Sequence, residues 1–358
     1  MKRLAVLMFG LSVLSLCAAE HLRLTLPEKI YAMPGVECNL YFDSVANVIN
    51  PANYFFEVRA PKGRNDIKRW RFIPAEKDCG EFELQLNVYD DAGLAGSGKT
   101  KIVVMPKAGK KERTLLLIGS SETAAGIYPA RILELMKDSG ITLAGTVKRA
   151  NYAPGVVTEG YGGWSYAIFT RSARSPFLRE GRLDFKQYVN QKCNGKTPDI
   201  ITITLGGNDA FGMGYNASEQ KLAAILDSAE KLISELRRAA PEAVIGVGLT
   251  YQGAGQDAFG ANYGCLLSAR QFRINHRMLI EGLMKKFENT GDNRLSVIPI
   301  YLNIDSEPNF PTVSEPVSLG NPSRVARQSN ARHPASAGYR QIGDAMSAWI
   351  NAKIIETK

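Results

Sequence analysis

Hydrophobic and polar positions follow two rhythms along this chain, and the change comes near residue 114. From Leu22 to Met105 the apolar runs are short and alternating: Leu22-Arg23-Leu24-Thr25-Leu26, Phe82-Glu83-Leu84-Gln85-Leu86-Asn87-Val88 and Lys101-Ile102-Val103-Val104. Period-two alternation predicts strands with one buried face. Turn-forming residues separate the runs at Pro34-Gly35, Pro61-Lys62-Gly63 and Asp90-Asp91-Ala92-Gly93. No helical stripe intervenes, so residues 20–107 are expected to form a small immunoglobulin-like β-sandwich. The stretch KAGKKER, Lys107 to Arg113, is polar, basic and glycine-containing, and residues 108–113 read as a hinge-like linker.

From Thr114 onward the strands become continuous. Leu115-Leu116-Leu117-Ile118 is apolar throughout, which predicts a strand buried on both faces. A weaker run at Ile141–Val147 follows, and clearer ones at Ile200–Leu205, Val244–Leu249 and Val297–Tyr301. Helix-like segments lie between and after them: Pro129–Lys137, Glu219–Ala239, Ser268–Phe287 and Ala335–Ile354. Strands alternating with helices predict an α/β domain over residues 114–358, with a parallel sheet covered on both faces. Ligands in such domains sit beyond the carboxyl ends of the strands.

The first residues bear on compartment. Lys2 and Arg3 precede the apolar run Leu4–Leu16, and Ala18-Ala19 stand before Glu20, the order of a secretory signal peptide over residues 1–19. Export to the periplasm or the extracellular space is expected. Lipid anchoring through Cys17 is the alternative, against which Leu16 is large where that signal takes a small residue. No later run reaches the roughly 18 apolar residues of a transmembrane helix. Of the remaining cysteines, Cys38 and Cys79 lie in the first half and Cys193 and Cys265 in the second. Pairing within each half and free thiols both remain open. No cysteine or histidine spacing indicates a metal site, and no cofactor is expected.

Composition adds little. With 45% hydrophobic and 22% charged residues among 358, the chain has an ordinary folded balance. A net charge of +9, roughly +7 without Lys2 and Arg3, mildly favours acidic partners such as charged glycans. No dense basic block supports nucleic acid. Three histidines exist, His21, His276 and His333, so any imidazole chemistry falls to one of them.

The polar residues at the predicted strand ends carry the chemistry. The first continuous strand runs into Gly119-Ser120-Ser121-Glu122-Thr123. A serine on that turn is either an exposed nucleophile near a helix N-terminus or a helix cap. The third runs into Gly206-Gly207-Asn208-Asp209, where Asn208 is an oxyanion donor or part of an Asx turn. Between them, Glu159-Gly160-Tyr161-Gly162-Gly163-Trp164 offers accessible backbone N–H groups, and Asn330-Ala331-Arg332-His333-Pro334 precedes the last helix.

In order and placement these four blocks resemble those of the SGNH hydrolases, also called GDSL-type esterases and lipases, over residues 114–358. The resemblance implies a flavodoxin-like three-layer domain and a serine esterase. It makes Ser121 the nucleophile and His333 its general base. The N–H groups of Ser121 and Gly163, with the side chain of Asn208, would form the oxyanion hole. His21, at the mature N-terminus, and His276, on a helical stretch with Arg273, Arg277, Lys285 and Lys286 that reads as a solvated face, are poor candidates for the base.

The sequence departs from the family pattern at three positions. Ser120 stands where the family has Asp, Glu122 where it has Leu, and Asn330 where it has the Asp three residues before the histidine. Three outcomes stay open: a Ser–His dyad oriented by Asn330 or a backbone carbonyl, a carboxylate moved in from Asp305, Glu307 or Glu315, or loss of activity. A sandwich ahead of such a domain resembles bacterial enzymes that deacetylate polysaccharides. Tyr161 and Trp164 would stack on a sugar or belong to the core, and Tyr251, Phe259 and Tyr263 would line the cleft. The expected substrate is an acetylated glycan or other small ester. The alternatives are a carbohydrate-binding protein without turnover and a lipid-directed esterase. Oligomeric state is not encoded in these features.

Overall fold

Seven strands build the N-terminal region of the computed structural model, which describes residues 21–48 and 50–357, so the expected signal peptide and Cys17 lie outside the described residues. They are β1 (Lys29–Ala32), β2 (Cys38–Tyr41), β3 (Phe55–Arg59), β4 (Arg64–Asn65), β5 (Arg69–Phe72), β6 (Gly80–Asp90) and β7 (Gly93–Val104), with a short helix α1 (Phe42–Ala46) after β2. One sheet has the order β1-β7-β6-β3 and the other β2-β5-β4. Alternation along β6 buries Leu84, Leu86 and Val88, and Phe82 meets Trp70 and Phe72 of the facing sheet, with ring centroids 6.4 and 5.8 Å apart. The expected strand at Leu22–Leu26 does not form a ladder. Instead the chain lies against β7, with the N–H of Leu22 bonded to the carbonyl of Ala95. A side chain at Gly96 would come within 2.2 Å of the Leu22 carbonyl oxygen, so this close approach requires glycine.

The second region centres on a parallel sheet of β8 (Arg113–Gly119), β9 (Ile141–Ala144), β10 (Glu159–Gly160), β13 (Ile200–Thr204), β14 (Val244–Gly248) and β15 (Leu295–Ile298). A small hairpin, β11 (Leu178–Arg179) and β12 (Arg182–Leu183), lies outside it. Both β9 and β10 pair with the outer edge of β8, and β13, β14 and β15 follow on its other side. The strand order therefore reverses between β8 and β13, which opens a crevice at their carboxyl ends. Leu115–Ile118, Ile200–Thr204 and Val244–Gly248 are buried at every position, which is why these strands read as unbroken apolar runs.

The helices of this region are α2 (Ser121–Ala124), α3 (Ile127–Leu135), α4 (Tyr166–Arg171), α5 (Phe185–Lys192), α6 (Gly207–Met213), α7 (Glu219–Ala239), α8 (Gln256–Tyr263), α9 (Ala269–Phe287) and α10 (Ser336–Glu356). α3 packs with α10, and α7 with α4 and α9, giving helical layers on the two faces of the sheet. Ser218 and Ser268 cap α7 and α9 by accepting the N–H groups of Lys221 and Gln271. An exposed hairpin, β16 (Thr312–Ser318) and β17 (Asn321–Gln328), precedes the loop that carries His333.

The segment expected to act as a hinge is pinned. Asn351 of α10 accepts the N–H of Ala108 and donates to the carbonyl of Pro106, both at 2.8 Å, and the N–H of Lys111 bonds to the carbonyl of Ser139. Side chains also tie the two regions together: Asn39 to Asn303, Tyr31 to Glu356, and Tyr301 to the carbonyl of Thr25. All four described cysteines are free. Cys38 is buried on β2 while Cys79 is exposed beyond β5, so the bridge expected between them is not made.

Candidate active site

Gly119 ends β8 directly beside Thr204 of β13. A β-carbon at Gly119 would lie 1.8 Å from the Thr123 hydroxyl and 3.0 Å from the Thr204 carbonyl, so only glycine allows the strand to turn into α2 so tightly. That turn puts Ser121 at the first position of α2, where its N–H has no acceptor within the helix. Ser121 Oγ lies 2.7 Å from Nε2 of His333. This is hydrogen-bond reach for a nucleophile and its base.

The glycine block runs alongside. β10 pairs Gly160 with Gly119, and the N–H of Tyr161 bonds to the Gly119 carbonyl at 3.0 Å. Gly163 then takes a left-handed φ of 78° in an exposed position with open space around it. At the end of β13, Asn208 donates one amide hydrogen to the carbonyl of Trp164 at 2.9 Å, and its second has no partner among the described residues. Its neighbour Asp209 accepts the N–H of Tyr166 at 3.2 Å. Two consecutive residues of α6 thus grip the loop that carries Gly163. Burial pushes the Asp209 carboxyl up to about 7. Glu159, buried below the same loop, accepts the hydroxyls of Tyr161 and Tyr188.

A serine hydroxyl in hydrogen-bond contact with an imidazole, at the reversal point of a parallel sheet and near the backbone of Gly163 and the amide of Asn208, is an arrangement chemically suited to acyl transfer. Residues 116–346 match the family of GDSL-like lipases and acylhydrolases. The chain belongs to this family. It is a carboxylic-ester hydrolase of the GDSL type. Among solved structures it is similar to a carbohydrate esterase of family 3 from Talaromyces cellulolyticus, at 15% identity over 68% of this chain and 99% of that one, with a TM-score of 0.42. It is also similar to a carbohydrate acetylesterase from Sinorhizobium meliloti, at 14% identity over 68% of this chain and 100% of that one, with a TM-score of 0.40. Comparison with curated protein sequences gave no match.

In this GDSL hydrolase an asparagine, Asn330, stands three residues before His333. Asn330 does not reach the imidazole through its oxygen, as expected. Its Oδ1 accepts the backbone N–H groups of Arg332 and His333, at 3.0 and 2.9 Å, and so shapes the loop rather than the ring. Among the described residues Nδ1 of His333 has no hydrogen-bond partner, and no carboxylate lies within 4.0 Å of either ring nitrogen. The candidates for a relocated acid are engaged elsewhere: Glu307 with Lys68, Glu315 with Arg327, and Asp305 with the N–H of Glu307 two residues on.

The other residues singled out in the sequence divide between core and surface. Trp164 is buried, its ring stacked at 4.3 Å on Tyr161 and against Phe169 at 4.8 Å, so its faces are occupied by core. Tyr251 and Phe259 are buried too, and the Tyr251 hydroxyl supports the His333 loop by donating to the Arg332 carbonyl at 2.9 Å. Tyr263 is half-buried, with its ring 5.1 Å from that of Phe211, which is 40% exposed. Phe211 lies three residues after Asn208 and escapes a sequence reading because nothing but its position marks it. His276 is buried rather than solvated. Its Nε2–H donates to the Thr250 carbonyl at 2.7 Å, and burial next to Arg332 pushes its pKa down to about 3. His21 is exposed beside Asp90, far along the chain from the site.

Proposed function

We propose that this GDSL hydrolase is an exported serine esterase that removes O-acetyl groups from a carbohydrate through an acyl-enzyme, with the β-rich N-terminal region as an immunoglobulin-like spacer. The observation that carries the reading is the 2.7 Å contact between Ser121 Oγ and His333 Nε2. His333 takes the Ser121 proton as Oγ attacks the acetyl carbonyl. The oxyanion is met by the N–H groups of Ser121 and Gly163 and by the free amide hydrogen of Asn208. The imidazolium then protonates the sugar oxygen as its bond to the acetyl carbon breaks, so the sugar leaves as an alcohol and acetyl-Ser121 remains. Water, deprotonated by His333, releases acetate and restores the serine.

Phe211 and Tyr263 support a sugar substrate. Phe211, three residues after Asn208 on α6, pairs with Tyr263, and a partly exposed aromatic surface suits the apolar face of a pyranose. Among the described residues no helix is long and apolar enough to cross a membrane. Acetate released from a panel of acetylated polysaccharides by the wild type, against Ser121→Ala, tests the reading. The variant should retain its fold and lose at least about 10⁴-fold in turnover. Full activity in Ser121→Ala would move the nucleophile elsewhere, with Ser120 the first candidate.

The unpartnered Nδ1 of His333 favours one second reading, a cleft that binds glycan with little turnover. It predicts glycan binding without acetate release.

A further inference from the structure

The carboxylate beside the nucleophile plays no part in the mechanism above. Glu122 is 3% exposed. It accepts the hydroxyl of Ser120, and its Oε2 lies 3.3 Å from Ser121 Oγ. Its other oxygen meets Nη2 of Arg332 at 3.3 Å. Arg332 is 7% exposed, with its guanidinium 4.4 Å above the ring of Phe272. It lies in the space that a side chain at Gly207 would take, since a β-carbon there would stand 1.8 Å from Nη2. The ion pair therefore joins the nucleophile turn, the Gly207-Asn208 turn and the loop of His333.

We propose that the Glu122–Arg332 pair supplies the fixed negative charge that this dyad lacks at Asn330, with Glu122 facing the reacting hydroxyl and Arg332 holding the carboxylate from behind. The inference rests on the Ser121–His333 reading. Since Oε2 is 3.3 Å from Oγ and Oγ is 2.7 Å from Nε2, the carboxylate stands within about 6 Å of the nitrogen that becomes charged. At that range, in a buried site, an opposite charge stabilises imidazolium appreciably. Ser121 has one proton and two acceptors. The shorter contact gives it to His333, so Glu122 acts through charge and does not displace the base.

The remaining titratable groups around the pair stay neutral. Burial raises the phenols of Tyr128, Tyr251, Tyr263 and Tyr339, which face Glu122 or Arg332, and keeps His276 uncharged. Glu122 and Arg332 are thus the charges that act on the dyad from this side. Fixing the pair on three loops also keeps the His333 loop in register with Ser121.

The test compares wild type, Glu122→Gln and the double variant Glu122→Leu/Arg332→Met, using 4-nitrophenyl acetate and following kcat, KM and the pH profile of kcat/KM. The double variant removes both buried charges together, so it should fold even where the single one leaves Arg332 unpaired. Expected are a kcat lower by about 10- to 100-fold, a nearly unchanged KM, and an acidic limb displaced to lower pH. Glu122→Asp, which keeps the charge, should hold the wild-type limb. An acidic limb at its wild-type position in the folded double variant overturns the proposal, whatever the loss of rate. Activity persisting in Ser121→Ala would instead overturn the serine reading on which it rests.

Discussion

Asn330 accepts the backbone N–H of His333 through Oδ1 at 2.9 Å, and the same oxygen takes the N–H of Arg332. The rest of the amide is a donor, which cannot accept Nδ1–H of the imidazole. Aspartate would keep both turn contacts and put an acceptor oxygen where the amide has NH₂. If that second oxygen reaches Nδ1 of His333, Asn330→Asp should raise kcat, by less than about tenfold where Glu122 already supplies charge and by more in the Glu122→Leu/Arg332→Met background. An unchanged kcat would show that residue 330 acts on the loop alone. Steady-state kinetics in the two backgrounds give the coupling directly. Asn330→Ala should lose about 1 kcal/mol of stability in urea unfolding, because two backbone donors lose their acceptor.

Asn208 has a double duty, with one hydrogen on the Trp164 carbonyl and one free. Asn208→Ala should lower kcat by about 10²–10³-fold with little change in KM, as for loss of one oxyanion donor. Asn208→Asp should be no better, because a carboxylate offers no donor to either partner. A loss confined to KM would show that Asn208 binds ground-state substrate instead.

Much of this architecture can be read in the sequence, for a physical reason. Strands buried on both faces, such as Leu115–Ile118 and Ile200–Thr204, must be continuously apolar, and the polar residues that interrupt them at their carboxyl ends are those facing the crevice. What escapes depends on partners distant in the chain. His276 reads as solvated because Arg273 and Arg277 flank it, yet those arginines pair with Asp43 and Glu281 beneath the docked N-terminal region. Trp164 offers no local sign of the aromatic stack that buries it. The hairpin of Thr312–Gln328 is hidden because Pro316 and Pro322 interrupt it and its apolar positions are few. The Glu122–Arg332 pair spans 210 positions, so local sequence shows the two charges but not their contact.

Asp209 predicts a pH dependence of stability. Its carboxyl is held up to about 7 by burial, although the N–H of Tyr166 works in the opposite direction. An unfolded aspartate titrates near 3.9, so between about pH 4 and 7 the folded chain keeps a proton that the unfolded chain has released. The contribution of this residue to stability is then fully present below about pH 4. It falls as pH rises, by up to about 1.4 kcal/mol per unit, and levels off above 7. In the variant Asp209→Asn the amide oxygen still accepts the Tyr166 N–H, and the side chain does not titrate. Urea unfolding of both proteins from about pH 4 to 8.5 should show the variant gaining on the wild type up to about pH 7. A constant difference would mean that Asp209 is ionised throughout.

The last prediction concerns how the N-terminal region is joined to the hydrolase domain. Asp43, on the short helix after β2, accepts the Ser306 hydroxyl at 2.7 Å and the amide of Gln252 at 3.1 Å, and pairs with Arg273 at 3.5 Å. Gln252 adjoins Tyr251, whose hydroxyl carries the His333 loop through the Arg332 carbonyl. The contact thus reaches the carboxyl-end side of the sheet, where Ser121 and His333 meet. A spacer attached only by its linker would unfold separately from the enzyme, whereas one docked through buried polar contacts and a pinned connector should unfold together with it. Scanning calorimetry should show one cooperative transition with matching calorimetric and van't Hoff enthalpies. Asp43→Ala leaves Arg273, Gln252 and Ser306 without their shared acceptor and should cost about 1–3 kcal/mol. It should also lower kcat modestly, because the support below the His333 loop is loosened, while KM stays close to wild type. Two resolved transitions in the wild type, or an Asp43→Ala protein as stable as the parent, would show that the two regions are independent and that the N-terminal region does not steady the site.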